Sequence, residues 1–172
     1  RAARQYKKVL SLKPDCAVAY VRLGDLLRTI GRFDAAGRSY RMALRFDAND
    51  FHALTNLGNI LRMEGKYSDA ISCYNKSLQF RPNIPKTLNN LALCLTDQGD
   101  VAQAQAVYTR ALELDGANAE IYSNYLFCLC YRDDIDAAFM HNRHRTFGEI
   151  QEARAKRRYS TWDASRAPQR QL

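Results

Sequence analysis

The chain has 172 residues, 47% hydrophobic and 26% charged, with a formal net charge of +8. That balance belongs to a folded protein and excludes a disordered chain, and no apolar run approaches the roughly 18 residues of a membrane span. The charge is uneven. Residues 1–50 carry 11 Lys and Arg against 5 acids, residues 51–118 carry 6 against 6, and residues 119–172 carry 9 against 7. Cations gathered at the ends rather than in one stripe with aromatic partners read as solvated helix faces, and no nucleic-acid partner is expected.

No apolar core follows the opening Arg1 to Lys8 stretch, so no signal peptide is read there, and no Met starts the chain. The chain is therefore expected to be a piece of something longer. The five cysteines (Cys16, Cys73, Cys94, Cys128, Cys130) are odd in number and contain no C-x-x-C spacing. They read as reduced thiols of a cytoplasmic protein, with no metal site.

Self-similarity at a period of 34 residues organises the chain. Residues 1–16 read as the second helix of a truncated repeat, through Ala2, Tyr6, Leu10 and Pro14. With no complete repeat before it, that helix is expected to expose an apolar face and fray. Three full repeats follow at 17–50, 51–84 and 85–118. Equivalent positions hold Leu23, Leu57 and Leu91; Gly24, Gly58 and Ala92; Gly31, Gly65 and Gly99; Ala36, Ala70 and Ala104; Tyr40, Tyr74 and Tyr108; and Leu44, Leu78 and Leu112.

Within a repeat, Leu23, Leu27 and Ile30 mark the buried stripe of a first helix. The glycines at 31, 65 and 99 end that helix where positive φ is needed. Phe33, Tyr67 and Val101 open a second helix. The small residues at 24, 58, 36 and 70 are expected to let helix backbones approach closely, and the tyrosines to fill the gap to the next repeat. Pro14 and Pro82 close second helices at the inter-repeat turn.

Residues 119–158 read as a degenerate repeat and a transition helix from about 135 to 158. Leu126 replaces the small residue, Asp133 the turn glycine and Asn142 the tyrosine, and Ile135 and Ala138 remain as packing positions. The polar segment 159–172, with Pro168, reads as a linker. His141 and His144 lack a carboxylate or Cys partner at useful spacing and read as surface or junction residues.

The L-G…G-x-[YF]…A-x-x-x-Y-x-x-A-L…P pattern resembles the tetratricopeptide repeat family across residues 1 to about 131. The resemblance implies an all-α superhelix of stacked antiparallel helix pairs, with first helices lining a concave groove that holds protein or peptide clients. Just before the Leu-Gly step stand Arg22, Asn56, Asn90 and Asn124. Polar groups there must face solvent or be hydrogen-bonded. One reading is a ladder that clamps a client backbone; the other is that these amides bond only to neighbouring helices. Asp25, Arg28, His52, Thr55, Asn59, Lys86, Asn89 and Leu93 flank them as groove candidates.

The Ile121 to Tyr131 segment, with His144-Arg145-Thr146-Phe147-Gly148-Glu149, resembles the junction of bacterial O-linked N-acetylglucosamine transferase-like (SPINDLY-type) proteins. That resemblance implies a missing catalytic domain beyond Leu172, a nucleotide sugar such as UDP-N-acetylglucosamine used by the parent, and a substrate-recruiting role for the repeats. No catalytic residue or glycine-rich phosphate loop lies in the chain itself, and no cofactor is expected in it. The alternative is a free-standing repeat scaffold or adaptor unrelated to glycosylation.

Overall fold

The computed structural model describes residues 2–132 and 134–158. Among these lie nine helices: α1 (Ala2–Leu12), α2 (Ala17–Thr29), α3 (Phe33–Phe46), α4 (Phe51–Met63), α5 (Tyr67–Phe80), α6 (Pro85–Gln98), α7 (Val101–Leu114), α8 (Ala119–Leu129) and α9 (Ala137–Arg158). The segment 159–172, read as a linker, and Asp133 lie outside the described residues.

Antiparallel pairs α2–α3, α4–α5 and α6–α7 stack in chain order, each second helix packing on the next first helix. First helices of successive repeats also touch, α4 with α6 and α6 with α8, whereas second helices make no comparable contact with one another. The first helices therefore lie on the inner, concave side of the superhelix. Each repeat buries its apolar stripe only against its neighbours, as stacked arrays do.

Local signals fix the helix ends. Gly31, Gly65 and Gly99 take φ of +75°, +73° and +93°, the left-handed region that a Cβ disfavours. Just beyond them the Arg32, Lys66 and Asp100 N–H groups donate to the Leu27, Leu61 and Leu95 carbonyls at 2.8, 2.9 and 2.9 Å, closing each first helix. Asp50, Asp100 and Asn118 cap α4, α7 and α8 by accepting from backbone N–H groups three residues on. Second helices end at Leu12, Phe46, Phe80 and Leu114, two residues short of the positions held by Pro14, Ala48, Pro82 and Gly116. On α1, Val9 and Leu12 are exposed.

The role expected of Gly24 and Gly58 needs correcting. A Cβ on Gly24 would stand 2.6 Å from Tyr40 Cε1, and one on Gly58 would stand 2.7 Å from Tyr74 Cε1. The missing side chain therefore seats the tyrosine ring of the same repeat, not a helix backbone. Tyr40, Tyr74 and Tyr108 are fully buried, and the first two fold back onto their own first helix instead of filling the gap to the next repeat.

The C-terminal end is closed by α9. Ala138 is exposed, contrary to its expected packing role; Ile135, Phe139, Met140, Phe147 and Ile150 pack against the core instead. Phe147 stacks on Tyr122 with ring centroids 5.1 Å apart. From Phe139 through Phe147 to Ile150 the spacing is eight and three residues, which keeps them on one helical stripe. Cys128 is buried and Cys130 exposed, so the two thiols do point to different faces.

Candidate functional site

Four first helices supply the concave face, and the 34-residue period places equivalent side chains one repeat apart along it. Arg22 is exposed; Asn56, Asn90 and Asn124 are half-buried. Each asparagine amide reaches back to the preceding first helix. Asn56 Nδ2 donates to Asp25 Oδ1 at 3.0 Å, Asn90 Nδ2 to Asn59 Oδ1 at 2.9 Å, and Asn124 Nδ2 to Asn89 Oδ1 at 3.1 Å.

The acceptors in this chain do double duty. Asp25 Oδ1 also accepts from the Tyr40 hydroxyl at 2.9 Å, and Asn59 Oδ1 from the Tyr74 hydroxyl at 2.8 Å. One oxygen thus joins the second helix of its own repeat to the first helix of the next. Burial, with Asp25 beside it, pushes the Tyr40 phenol well above its ordinary pKa; burial does the same to Tyr74. Both hydroxyls therefore stay protonated and act as donors.

The third repeat breaks this pattern. Leu93 stands where Asp25 and Asn59 stand, and offers no acceptor. The buried Tyr108 hydroxyl has no hydrogen-bond partner among the described residues, and Asn124 turns to Asn89. Thr96 tempers the rise that burial imposes on the Tyr108 phenol, yet no hydrogen bond of ordinary geometry joins the two. Ala92 replaces the glycine that seats the ring in the first two repeats, so the same repeat departs at both positions.

The flanking candidates divide into two groups. His52, Lys86 and Arg28 are exposed, and Asp25 and Leu93 are half-buried. Arg22 approaches Asp25 at 4.0 Å across one helical turn. Asn89, by contrast, is only 2% exposed, and its oxygen serves Asn124 rather than open solvent. Thr55 likewise belongs to the interior: its hydroxyl meets Ser77 Oγ at 2.8 Å and Thr87 Oγ1 at 3.2 Å, while Ser77 donates to the Phe51 carbonyl at 3.0 Å. The fully buried Ser77 is satisfied by this three-helix knot, as a polar core group must be.

The sequence reading passed over the last position of the acceptor column. Down the repeats it holds Asp25, Asn59, Leu93 and Phe127, changing from charged to amide to aliphatic to aromatic. Phe127 is 58% exposed and meets Tyr131, itself 57% exposed, edge to face at 5.2 Å. Reading that column as a series would have found the pair. Three surface clefts of about 360, 270 and 290 Å³ lie elsewhere, and none is lined by a ladder asparagine. Among the described residues no helix is long and apolar enough to cross a membrane, and no three His, Cys, Asp or Glu side chains are grouped to hold a metal.

Comparison with known proteins bears on this geometry in three ways. Profiles described as tetratricopeptide repeat match residues 1–51, 52–84 and 85–118. A comparison with the curated proteins finds no match. Among solved structures, MamA is similar with a TM-score of 0.77 at 19% identity, over 90% of this chain and 88% of that one. MamA from Desulfovibrio magneticus RS-1 has a TM-score of 0.81 at 16% identity, over 88% and 84%. A mutant O-GlcNAc transferase from Thermobaculum terrenum has a TM-score of 0.72 at 21% identity, over 83% of this chain but 26% of that one.

These coverages overturn the expected glycosyltransferase parent. The MamA chains are accounted for almost from end to end by the fold seen here, whereas the transferase shares it over about a quarter of its length. What is common to all of them is the repeat array. With three full repeats in register, their left-handed glycines in place and profile matches spanning residues 1–118, the chain belongs to the tetratricopeptide repeat family.

Proposed function

We propose that the chain is a protein-binding scaffold module that holds an extended polypeptide along its concave face, with Asn56, Asn90 and Asn124 as the backbone-binding row. The observation that carries this reading is the half-used state of the three amides. One N–H of each is committed to the preceding repeat, which fixes the side-chain orientation. Among the described residues, the second N–H and the Oδ1 of each have no hydrogen-bond partner. A half-buried amide held in place loses little rotamer freedom when a ligand arrives, and a row of them pairs with backbone N–H and C=O groups without demanding a side-chain sequence.

Arg22, Asp25, His52, Asn59 and Lys86 flank the row and bias the choice of client side chains. Arg22 and Asp25 serve one end; Lys86, exposed and in no ion pair among the described residues, stands near the middle. The similarity to MamA chains over most of their length favours a scaffold that works without a transferase domain. Five free cysteines, two of them buried, suit a reducing compartment, and we place the protein in the cytoplasm.

The test is selection of peptides from a random library on the full chain, followed by titration of the recovered peptides against the triple variant Asn56→Ala, Asn90→Ala, Asn124→Ala. Circular dichroism establishes whether the variant keeps its helices. Three neutral hydrogen bonds at about 1 kcal/mol each predict a loss of affinity of roughly 100-fold. A folded triple variant that binds as tightly as the parent would refute the backbone-binding row.

A further inference from the structure

The outward faces of α1 and α3 carry a second surface, separate from the groove. Arg4, Lys7 and Lys8 on α1 and Arg38, Arg41 and Arg45 on α3 are all exposed. The repeat places Arg4 and Arg38 in one column and Lys7 and Arg41 in the next, so the two helices present cations in matched rows. Along α3, the three arginines recur at spacings of three and four residues and share one helical stripe about 10 Å long.

No ion pair within the described residues occupies any of the six. Among the described residues Arg45 donates only to the Met42 sulfur, at 3.9 Å. Three acids lie near the row: Asp34 in the first turn of α3; Asp69 on α5, which with Arg41 acts on the Cys73 thiol; and Glu64, whose pKa Arg41 helps to lower and which is already paired with Lys66 at 2.7 Å. In later repeats, the columns of Arg38, Arg41 and Arg45 hold Ser72, Asn75 and Gln79, then Ala106, Thr109 and Glu113. The cationic face is thus confined to one end of the array and is not a property of the repeat. Second helices face outward, so stacking of neighbouring repeats does not cover it.

We infer that this face is a docking surface for an acidic polypeptide segment, a run of several Asp or Glu residues on a partner protein or on a tail of one. Like charges held together without counter-ions repel one another, and a polyanion relieves that repulsion while its carboxylates take the planar guanidinium forks two bonds at a time. The stripe lacks what the other anionic macromolecules exploit. Along α3 no exposed aromatic side chain stands between the arginines for bases to stack on: Tyr40 is fully buried, Phe33 and Phe46 lie at the ends of the helix, and Phe46 is stacked on Tyr20 at 5.8 Å; on α1 the one aromatic, Tyr6, is half-buried. The exposed apolar side chains nearby, Val9 and Leu12 on α1 and Phe33 and Phe46 at the ends of α3, stand outside the row Arg38, Arg41 and Arg45 rather than interleaved with it as a membrane-entering face would have them.

The test uses the 172-residue chain and a fluorescein-labelled peptide containing ten consecutive glutamates, followed by anisotropy at two salt concentrations. The expected result is binding that weakens steeply with salt and falls at least tenfold in the variant Arg38→Gln, Arg41→Gln, Arg45→Gln. A control that removes three exposed cations at the other end of the array, Arg110→Gln, Arg145→Gln, Arg154→Gln, is expected to change it less than twofold. Equal losses in the two variants would mean attraction to net charge alone and would overturn the site. So would absence of binding, or tighter binding to a single-stranded oligonucleotide or to vesicles containing phosphatidylserine. None of these outcomes bears on the groove, whose asparagines are intact in both variants.

Discussion

The broken acceptor column makes a prediction whose sign reverses between two chemically identical substitutions. Tyr74→Phe removes a hydroxyl that donates to Asn59 at 2.8 Å, and Tyr108→Phe removes one that donates to nothing. Both rings are fully buried, so the packing lost is the same single oxygen. A satisfied hydrogen bond contributes about 1 kcal/mol net, whereas an unsatisfied buried hydroxyl costs about 1–3 kcal/mol. Tyr74→Phe should therefore destabilise the fold by about 1 kcal/mol, and Tyr108→Phe should stabilise it by at least that much. For a chain of this length, 1 kcal/mol moves Tm by roughly 2–4 °C, well within the precision of scanning calorimetry. The third leg is Leu93→Asn, which restores an acceptor beneath Tyr108 and opposite Asn124. In that background, Tyr108→Phe should turn from stabilising to destabilising. If Tyr108→Phe lowers Tm of the parent as far as Tyr74→Phe does, the hydroxyl has a partner and the account of the third repeat is wrong.

Gly58→Ala should destabilise by about 1–3 kcal/mol, because the new Cβ would sit 2.7 Å from the buried Tyr74 ring and overpack the core; a denaturation midpoint matching the parent would contradict this. Gly65→Ala meets nothing within 4 Å, so its cost should come from φ of +73° alone, about 1–2 kcal/mol by the same measurement. Exposed Cys130 should react with a thiol reagent in the native state, while buried Cys94, its thiol pushed up to about 11, should react only on unfolding; mass spectrometry of alkylated peptides resolves the two. Raising the pH from about 9 to 11 should weaken the fold. The Cys94 thiol is raised in the folded state, so its contribution is complete below the unfolded value near 9 and is lost as pH climbs through 11; a pH series of Tm values checks the slope.

Periodicity made the fold legible. The columns of Leu23, Gly31 and Tyr40 and their equivalents fixed the helix pairs, the left-handed turns and the order of stacking, because each repeat must bury the same stripe against the next. The polar positions were legible only as polar. That Asn56 must be hydrogen-bonded or wet followed from its chemistry, but its partner Asp25 lies 31 residues away across a helix interface whose geometry no single repeat encodes. Asn89 looked like a groove residue beside Asn90 and is instead buried, since adjacent helical positions lie about 100° apart. The tyrosines were assigned to inter-repeat gaps for a similar reason: their spacing marks them as buried but says nothing about which neighbour receives the ring. The transferase resemblance rested on two short segments, Ile121 to Tyr131 around α8 and His144 to Glu149 on α9, where the repeat pattern gives way to a helix that packs in place of a further repeat. Tyr122 and Phe147 serve that closing role here.

The shared oxygens of Asp25 and Asn59 also bear on how the array comes apart. In a stack where each unit touches only its neighbours, cooperativity is the strength of the links, and these links are unequal. Two of them combine apolar contact with a three-way polar junction that ties both helices of one repeat to the next. The link beyond Leu93 has lost that junction; besides apolar contact it keeps the Asn124 bond, a Cys128 thiol donating to the Val101 carbonyl at 3.9 Å and Arg132 donating to Gln105. The third repeat, where the groove changes from amide to aromatic, is therefore the expected seam when the array comes apart.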